Sequence, residues 1–356
     1  MLKRFAAAFA AILLLGGAAP TEQQHGGSIG DGARAVFLQC GNFRTPAMAR
    51  AGACTAAIKS GALPPQLLAG AYVMRGMALV ELSRFDAAKT DYDAALGHVP
   101  DFTPAYMARA DLDLGLREQE KAIATLDEVI RRKPDDIQAL VKRGGILNIA
   151  GRQDAAIADF TEAIRLNPER AGSFVDRGLA YQNKGDFDHA AADFDEAIRL
   201  GGKVSAAYSA RGRLRFRQDA FAAAADDFTA AADLAPADPY AALWRFLAQA
   251  RTGQPDEAAA ELERRAGRLN TAVWPGPIVS LFLGRLAPDA LDPGEHVLPL
   301  EQLGANCELH FYRGEHHLLH GESERAAAEF RLAVATGITE YVEYGAAQRE
   351  LDRLGR

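Results

Sequence analysis

Basic residues are not in excess in this chain, and cysteine is scarce. The 356 residues include 47 acidic residues against 40 lysines and arginines, which gives a net charge of −7. A dispersed acidic balance disfavours nucleic acid and offers no basic patch for anionic lipid. Beyond the amino terminus, no segment is apolar enough to span a bilayer. We find no phosphate-binding loop and no cluster that indicates an active site, so we predict no enzyme, cofactor or bound metal.

The three cysteines are placed unevenly. Cys40 and Cys54 fall in two short predicted helices, at 33–40 and 47–60. A bridge across such a hairpin would suit an oxidising compartment and a terminal repeat that lacks one neighbour. We therefore predict a Cys40–Cys54 disulfide, and the alternative is two separately buried cysteines. Cys307 is left over, and we expect it to be a small buried residue.

The amino terminus has the pattern of an export signal. Lys3 and Arg4 precede a short apolar stretch at 5–15, and small residues follow it, so we predict a signal peptide at 1–18. A polar, glycine-rich linker follows at 19–32. No cysteine stands directly after the apolar stretch, so we expect a soluble periplasmic protein without a lipid anchor. The alternative is an uncleaved amino terminus on a cytoplasmic protein.

Seven arginines recur at a fixed spacing through the rest of the chain. They are Arg75, Arg109, Arg143, Arg177, Arg211, Arg245 and Arg313. Neighbouring members are 34 residues apart, except that Arg313 follows Arg245 after two periods. An alanine stands thirteen residues after each of them. A strict period of this length predicts stacked helical hairpins and an all-α fold.

Other residue types recur at fixed positions within the 34-residue blocks that begin at Ala69. Position 8 is usually glycine, position 20 is alanine, position 24 is large and position 32 is usually proline. We expect the small residues at 8 and 20 to face each other, so that two antiparallel helices approach closely. The large residue should fill the space between hairpins, and the proline should end the second helix.

This pattern resembles the tetratricopeptide repeat (TPR) family, and the block with Gly178, Tyr181, Ala190 and Phe194 is the most similar one. The resemblance implies a superhelical solenoid of antiparallel helix hairpins with a C-terminal capping helix. We therefore predict a divergent first hairpin at 33–68, six TPR-type repeats at 69–272, a degenerate repeat at 273–306, a C-terminal TPR-type repeat at 307–340 and the capping helix at 341–356.

The carboxy-terminal part resembles a narrower family, the periplasmic NlpI-like TPR proteins. The resemblance lies in the segments 307–315, 326–333, 343–347 and 350–351, and in the Trp274-Pro275 pair before them. It implies a helical adaptor, often dimeric, that docks cell-wall hydrolases and a carboxy-terminal processing protease. The missing acylation cysteine departs from that family, so membrane anchoring is not implied. Whether this chain forms a homodimer stays open.

Six of the seven periodic arginines have an acidic residue sixteen positions later. These acids are Asp91, Asp159, Asp193, Asp227, Glu261 and Glu329. We predict a series of arginine–carboxylate pairs that join the two helices of each hairpin, so that the arginines are structural. Arg109 is the exception, because Thr125 stands at that place. The alternative is a row of arginines that grips an acidic peptide.

The TPR resemblance implies a concave face lined by the first helix of each hairpin. The residues predicted there to bind a partner are Val73, Met77, Met107, Asp111, Val141, Asn148, Val175, Leu179, Gln182, Arg213 and Phe216. Because this face is largely apolar, we expect a peptide helix or strand to cover it. The alternative is burial by the amino-terminal segment or by a second copy of the chain.

These features predict a non-enzymatic scaffold or adaptor with protein or peptide partners in the cell envelope. A rival is a cytoplasmic TPR scaffold. Another is a metal-dependent enzyme that uses the histidines at 310–320, where His316 and His320 lie one helical turn apart. No third ligand stands at a fixed spacing, and His317 occupies the place where a zinc protease of this spacing needs glutamate.

Overall fold

The computed structural model describes residues 31–201, 204–339 and 341–356, and every regular element within these ranges is helical. The predicted signal peptide at 1–18 and nearly all of the predicted linker at 19–32 lie outside the described residues. None of the described helices is long and apolar enough to cross a bilayer. The chain forms two compact units, the first ending at Pro134 and the second beginning at Asp135.

The described part of the first unit consists of three helix hairpins. Its helices are α1 (Asp31–Cys40), α2 (Ala47–Lys59), α3 (Pro65–Glu81), α4 (Phe85–His98), α5 (Thr103–Gly115) and α6 (Gln119–Arg132). The predicted disulfide between Cys40 and Cys54 is present and closes the α1–α2 hairpin. Both cysteines are buried beside Met74 of α3, so the bridge is part of the core.

The second unit begins with four further hairpins and ends in a less regular part. Its helices are α7 (Ile137–Ile149), α8 (Gln153–Leu166), α9 (Ala171–Lys184), α10 (Phe187–Gly201), α11 (Ser205–Arg217), α12 (Phe221–Leu234), α13 (Pro239–Arg251), α14 (Pro255–Ala266), α15 (Gly276–Phe282), α16 (Pro299–Leu319), α17 (Ser323–Ala335) and α18 (Val342–Arg353). The hairpins pair α7 with α8, α9 with α10, α11 with α12 and α13 with α14.

The glycine at position 8 has a different partner from the one predicted. A β-carbon added at Gly144, Gly178 or Gly212 would lie only 2.8, 2.6 or 2.9 Å from the aromatic ring at position 24 of the same hairpin. The ring therefore packs directly on the glycine, inside the hairpin. Our expectation that position 24 fills the space between hairpins was wrong in this respect. The aromatic ring of one helix can pack this closely on the other helix only where that helix carries glycine.

Left-handed residues close the turn inside each hairpin from α3–α4 onward, whereas the α1–α2 turn has none. Gly151, Gly185 and Gly253 adopt positive φ, as expected of a helix carboxy-terminal cap. Arg117 and Asp219 adopt the same conformation without being glycine, with φ of 65° and 63°. Side chains at positive φ strain the backbone, so these two turns cost stability that the glycine turns do not.

The degenerate segment differs from its predicted outline. Helix α15 ends at Phe282, two residues before Gly284, which takes a left-handed conformation. A single 3₁₀ turn at Pro288–Ala290 stands where a regular repeat has its second helix. Helix α16 then begins at Pro299, eight residues before the predicted repeat boundary at 307.

Candidate functional site

Four of the predicted arginine–carboxylate pairs are present. The Nη2–Oδ1 distances are 2.6 Å for Arg75–Asp91, 2.6 Å for Arg143–Asp159, 2.8 Å for Arg177–Asp193 and 2.7 Å for Arg211–Asp227. In each pair the arginine Nε also donates to the second carboxylate oxygen, so the contact is bidentate. The four aspartates are buried, and the arginines are partly exposed.

The predicted pair is absent at Arg245 and Arg313. Arg245 donates from Nε to the Thr229 hydroxyl at 2.8 Å. Its expected partner Glu261 instead accepts from Arg265 at 2.7 Å, because an arginine one turn along the same helix is closer. Arg313 donates to the Pro288 carbonyl at 2.7 Å, which the irregular 3₁₀ turn supplies.

The arginines also make a contact that the sequence analysis did not predict. Arg109, Arg177, Arg211 and Arg245 each reach a side chain sixteen residues earlier, in the second helix of the preceding hairpin. These partners are Asp93, Thr161, Asp195 and Thr229. An arginine in this position therefore ties its own hairpin to the one before it. We retain the structural role of all seven arginines as a proposal.

The first unit offers little free surface at its predicted partner-binding residues. Val73 is fully buried and Met77 is 9% exposed, so neither side chain lines an open face as predicted. Met107 and Asp111 on α5 are half-buried. Any contact that this unit makes with a partner through its inner face would therefore involve α5 more than α3.

The second unit keeps part of its predicted face accessible on α7 and α9. Val141 and Leu179 are half-buried, and so are Asn148, two turns beyond Val141, and Gln182, one turn beyond Leu179. The Asn148 side-chain oxygen accepts a hydrogen bond from Asn183 at 3.2 Å. Val175 is the exception, since it is 6% exposed and belongs to the core between the hairpins. Apolar and amide side chains therefore alternate along this accessible strip.

Phe216 on α11 is covered by the end of the chain. Arg353 of α18 donates to the Phe216 carbonyl at 3.3 Å, and its guanidinium lies 5.8 Å from the centre of the Phe216 ring. Arg349 and Arg353 both pair with Asp219, in the turn after α11. Phe216 is 3% exposed, because Phe221, Trp244 and Arg353 pack around it. The prediction that Phe216 lies on an open face was wrong, whereas Arg213 is half-buried.

Helices α16 and α18 each contribute one glutamate to a buried pair. Glu308 of α16 and Glu343 of α18 are 6% and 2% exposed. The Tyr240 hydroxyl lies 2.9 and 3.0 Å from the two Glu308 oxygens, and the Trp274 indole donates to Glu308 at 2.6 Å. The Tyr312 hydroxyl lies 3.3 Å from Glu343. No arginine or lysine makes an ion pair with Glu308 within the described residues.

A second pair of buried glutamates lies one layer further along the same helices. Glu315 of α16 and Glu350 of α18 are fully buried or nearly so, at 0% and 1% exposure. Arg251 of α13 lies between them, with its nitrogens 2.7 Å from Glu315 and 3.1 Å from Glu350. Arg353 also contacts Glu350. One arginine is therefore shared by two acids that stand 64 and 99 residues after it.

The surroundings of Glu308, Glu315 and Glu343 favour their uncharged form. Burial, together with the nearby charge of Glu343, raises the pKa of Glu308 to about 8, although hydrogen bonds from Trp274 and Tyr240 lower it. Burial also raises the pKa of Glu315 to about 7, against the charge of Arg251. Burial raises the pKa of Glu343 as well, and Arg213 opposes that change. Desolvation therefore outweighs the available positive charge at all three carboxyls.

The histidines at 310–320 are engaged with other groups. His310 contacts Glu329 at 2.7 Å, and His317 contacts Glu322 at 2.6 Å. His316 and His320 stack on each other with ring centres 4.3 Å apart. Burial lowers the pKa of His316 to about 4. Within the described ranges, no three His, Cys, Asp or Glu side chains converge in the arrangement of a metal site. Cys307 is buried, as expected.

Comparison with known families agrees with the hairpin geometry. A family model described as tetratricopeptide repeat matches residues 73–137, 107–171 and 175–239. This chain contains tetratricopeptide repeats. The matched segments include the glycine–ring contacts and all four arginine–aspartate pairs. The predicted fold class, an all-α TPR solenoid of antiparallel hairpins, is confirmed.

Solved structures support the same TPR fold. The chain is similar to a tetratricopeptide repeat protein from Parabacteroides merdae ATCC 43184, with 17% identity and a TM-score of 0.51, over 80% of this chain and 98% of that one. It is also similar to a chain of the APC/C hetero-tetramer Cut9–Hcn1, with 14% identity and a TM-score of 0.51, over 90% of this chain and 54% of that one. At these identities the likeness shows the fold alone.

The four buried glutamates are the feature of this TPR protein that the sequence analysis missed. Glu308 and Glu315 are seven residues apart on α16, and Glu343 and Glu350 are seven apart on α18. Acids two helical turns apart lie on one face of a helix, so each helix presents a pair.

Proposed function

We propose that this protein is a non-enzymatic adaptor that docks a protein partner on the α7–α9 strip, which we define as Val141, Asn148, Leu179 and Gln182. The observation that carries this proposal is the accessibility of the strip. Its two apolar side chains keep exposed surface on the inner helices, whereas Phe216 on the next inner helix is covered. Apolar side chains bracketed by amides suit an amphipathic helix or an extended segment of a partner.

The proposed compartment is the periplasm, and the protein would reach it as a soluble exported chain. The Cys40–Cys54 disulfide supports this proposal, because disulfides persist in oxidising compartments and are rare in the cytosol. Mass spectrometry of the mature amino terminus from the native cell tests it. A chain that begins near residue 19 is the expected result, and an intact Met1 in the cytosolic fraction would favour the cytoplasmic rival.

The docking proposal is tested by placing charges on the strip. The variant with Val141→Asp and Leu179→Asp should keep its circular dichroism and lose captured partners, because two carboxylates would have to be desolvated on binding. The matched control carries Ala158→Asp and Ala192→Asp, which are exposed positions on the second helices of the same two hairpins. Equal recovery of crosslinked partners from both variants would rule out the strip as the docking site.

The identity of the partner follows from the narrower resemblance. We propose that the captured proteins are cell-wall hydrolases or a processing protease of the envelope, as the likeness of the carboxy-terminal segments to NlpI-like proteins implies. Crosslinking in intact cells, followed by mass spectrometry, should recover such enzymes with the unaltered chain. Recovery of the chain itself as the main product would instead point to a homodimer that uses the strip.

A further inference from the structure

The end of the chain holds an unusual concentration of buried acid. Among the described residues, the glutamates with less than 9% exposure are Glu308, Glu315, Glu343 and Glu350. All four lie on α16 and α18, which pack against each other. Moving carboxylates out of water costs several kcal/mol each unless positive charge compensates them, so such a cluster is stable only when enough charge or enough protons are present.

The positive charge inside this cluster is insufficient for four carboxylates. Arg251 serves both Glu315 and Glu350. Arg213 faces Glu343 from α11, and its own burial lowers the pKa of its guanidinium. Glu308 has hydroxyl and indole partners but no cation within the described part of the chain. Arg353 divides its contacts between Glu350 and the exposed Asp219.

We propose that α18 is a pH-dependent latch, which closes over Phe216 while Glu308 and Glu315 hold protons and loosens as they ionise. Two features of the geometry support this. The acids come in facing pairs, one from α16 and one from α18, and Glu308 has no ion-pair partner among the described residues, so ionisation of both Glu308 and Glu343 repels the latch. The latch also ends in two arginines, Arg349 and Arg353, whose contact with Asp219 is at the surface and open to solvent.

The charged and titratable groups around the latch come from the helices packed against it and from the turns beside them. They are Arg213 on α11, Asp219 in the turn after α11, Asp238 before α13, Tyr240 and Arg251 on α13, Tyr312 on α16, Glu324 on α17, which pairs with Arg356 just after α18, Tyr341 before α18, and Arg349 and Arg353 on α18. Burial raises the pKa of Tyr240 and Tyr312, so both phenols stay neutral. Glu308 and Glu315 are therefore the groups of this cluster that titrate near neutral pH.

The direction of the effect follows from the proton count. Glu308 and Glu315 have pKa values of about 8 and 7 in the closed state, against an ordinary value of 4.5 when released. The closed state therefore binds more protons than the open state between about pH 4.5 and 8. Its advantage is complete below about pH 4.5 and is lost as the pH rises towards 8. Each extra proton bound on closing changes the closing equilibrium by up to about tenfold for each pH unit.

Amide hydrogen exchange of the full chain at pH 5 and pH 8, corrected for intrinsic rates, tests the latch. Protection of 342–353 should fall by at least about tenfold from pH 5 to pH 8, while α9 in the same unit keeps its protection. The two tryptophans of the chain, Trp244 and Trp274, both face the glutamates, so their fluorescence should titrate near pH 7–8.

Isosteric variants separate the latch from general pH effects. Glu308→Gln mimics the protonated acid, so it should reduce the pH dependence and keep α18 protected at pH 8. Asp352→Asn, an exposed change on the same helix, should behave as the unaltered chain. Equal protection of 342–353 at both pH values in the unaltered chain, or full pH dependence in Glu308→Gln, would overturn the proposal. Should Glu308→Gln fail to fold by circular dichroism, Glu343→Gln takes its place with the same expectation.

Discussion

Ion pairs in the regular hairpins join residues close in the sequence, whereas those at the end of the chain join residues far apart in it. Arg177 finds its carboxylate sixteen residues later and a hydroxyl sixteen residues earlier, both fixed by the repeat. Arg251 has no partner at this spacing. It instead contacts both Glu315 and Glu350, which stand 64 and 99 residues later. A local pair can form as soon as one hairpin folds. A shared arginine has its partners only after α16 and α18 have both docked, so this part of the protein depends on long-range order.

Removing the shared arginine should have the largest effect. Arg251→Met leaves Glu315 and Glu350 buried without their common cation, and we expect a loss of about 3–5 kcal/mol from the free energy of unfolding. Urea unfolding followed by tryptophan fluorescence measures this loss, because both tryptophans lie in this region. Arg177→Met is the matched change in a regular hairpin and should cost about 1–3 kcal/mol. Equal losses for the two variants would remove the distinction between the regions.

The packing of glycine against an aromatic ring should contribute equally to stability in the regular hairpins and at the end of the chain, although the ion pairs differ. Gly178→Ala drives a methyl group into the Phe194 ring, and Gly314→Ala does the same to Phe330. We expect each to cost about 1–3 kcal/mol in thermal or urea unfolding. Gly172→Ala is the control on the same helix as Gly178, where nothing lies within 4 Å of an added β-carbon. It should stabilise the protein by up to about 1 kcal/mol. If Gly314→Ala left the free energy of unfolding unchanged, the C-terminal hairpin would be packed differently from the regular hairpins.

Relief of backbone strain in the turns should change the free energy of unfolding least. The change should differ between the turns at Arg117 and Asp219, although their φ angles are similar. Arg117→Gly removes a side chain from a residue with φ of 65°, and we expect a gain of about 0.5–1 kcal/mol. Asp219→Gly removes the same strain but also the anchor of Arg349 and Arg353. Its gain should therefore be smaller than that of Arg117→Gly. A larger gain at Asp219, measured by thermal unfolding, would mean that the anchor contributes nothing.

The regular hairpins could be predicted because each of their contacts repeats in the sequence. The period located the arginines, the aspartates and the glycines, but the partner of position 8 and the exposure of Val73 and Val175 were misjudged. The prediction of ion pairs failed where the partners of an arginine no longer recur with the 34-residue period. Glu261 lies sixteen residues after Arg245 but also one turn before Arg265, and only the three-dimensional arrangement decides between them.

The burial of Phe216 could not be predicted for a similar reason. It occupies a position that faces outward from the hairpin in a regular TPR array, and the sequence of α11 is the same whether or not α18 packs against it. The available signal was the spacing of the glutamates on α16 and α18. Acids at a heptad spacing on two helices, among apolar residues, indicate a buried polar face, but not which arginines it meets.

Double-mutant cycles test the central contrast between local and shared pairs most directly. One cycle combines Arg251→Met with Glu350→Gln, and the other combines Arg177→Met with Asp193→Asn, under the same conditions near neutral pH. We predict a coupling energy of about 2–3 kcal/mol between Arg251 and Glu350 and of about 1 kcal/mol between Arg177 and Asp193. Coupling energies that agree within error would contradict the account, because they would mean that the shared arginine contributes no more than one pair of the regular repeat.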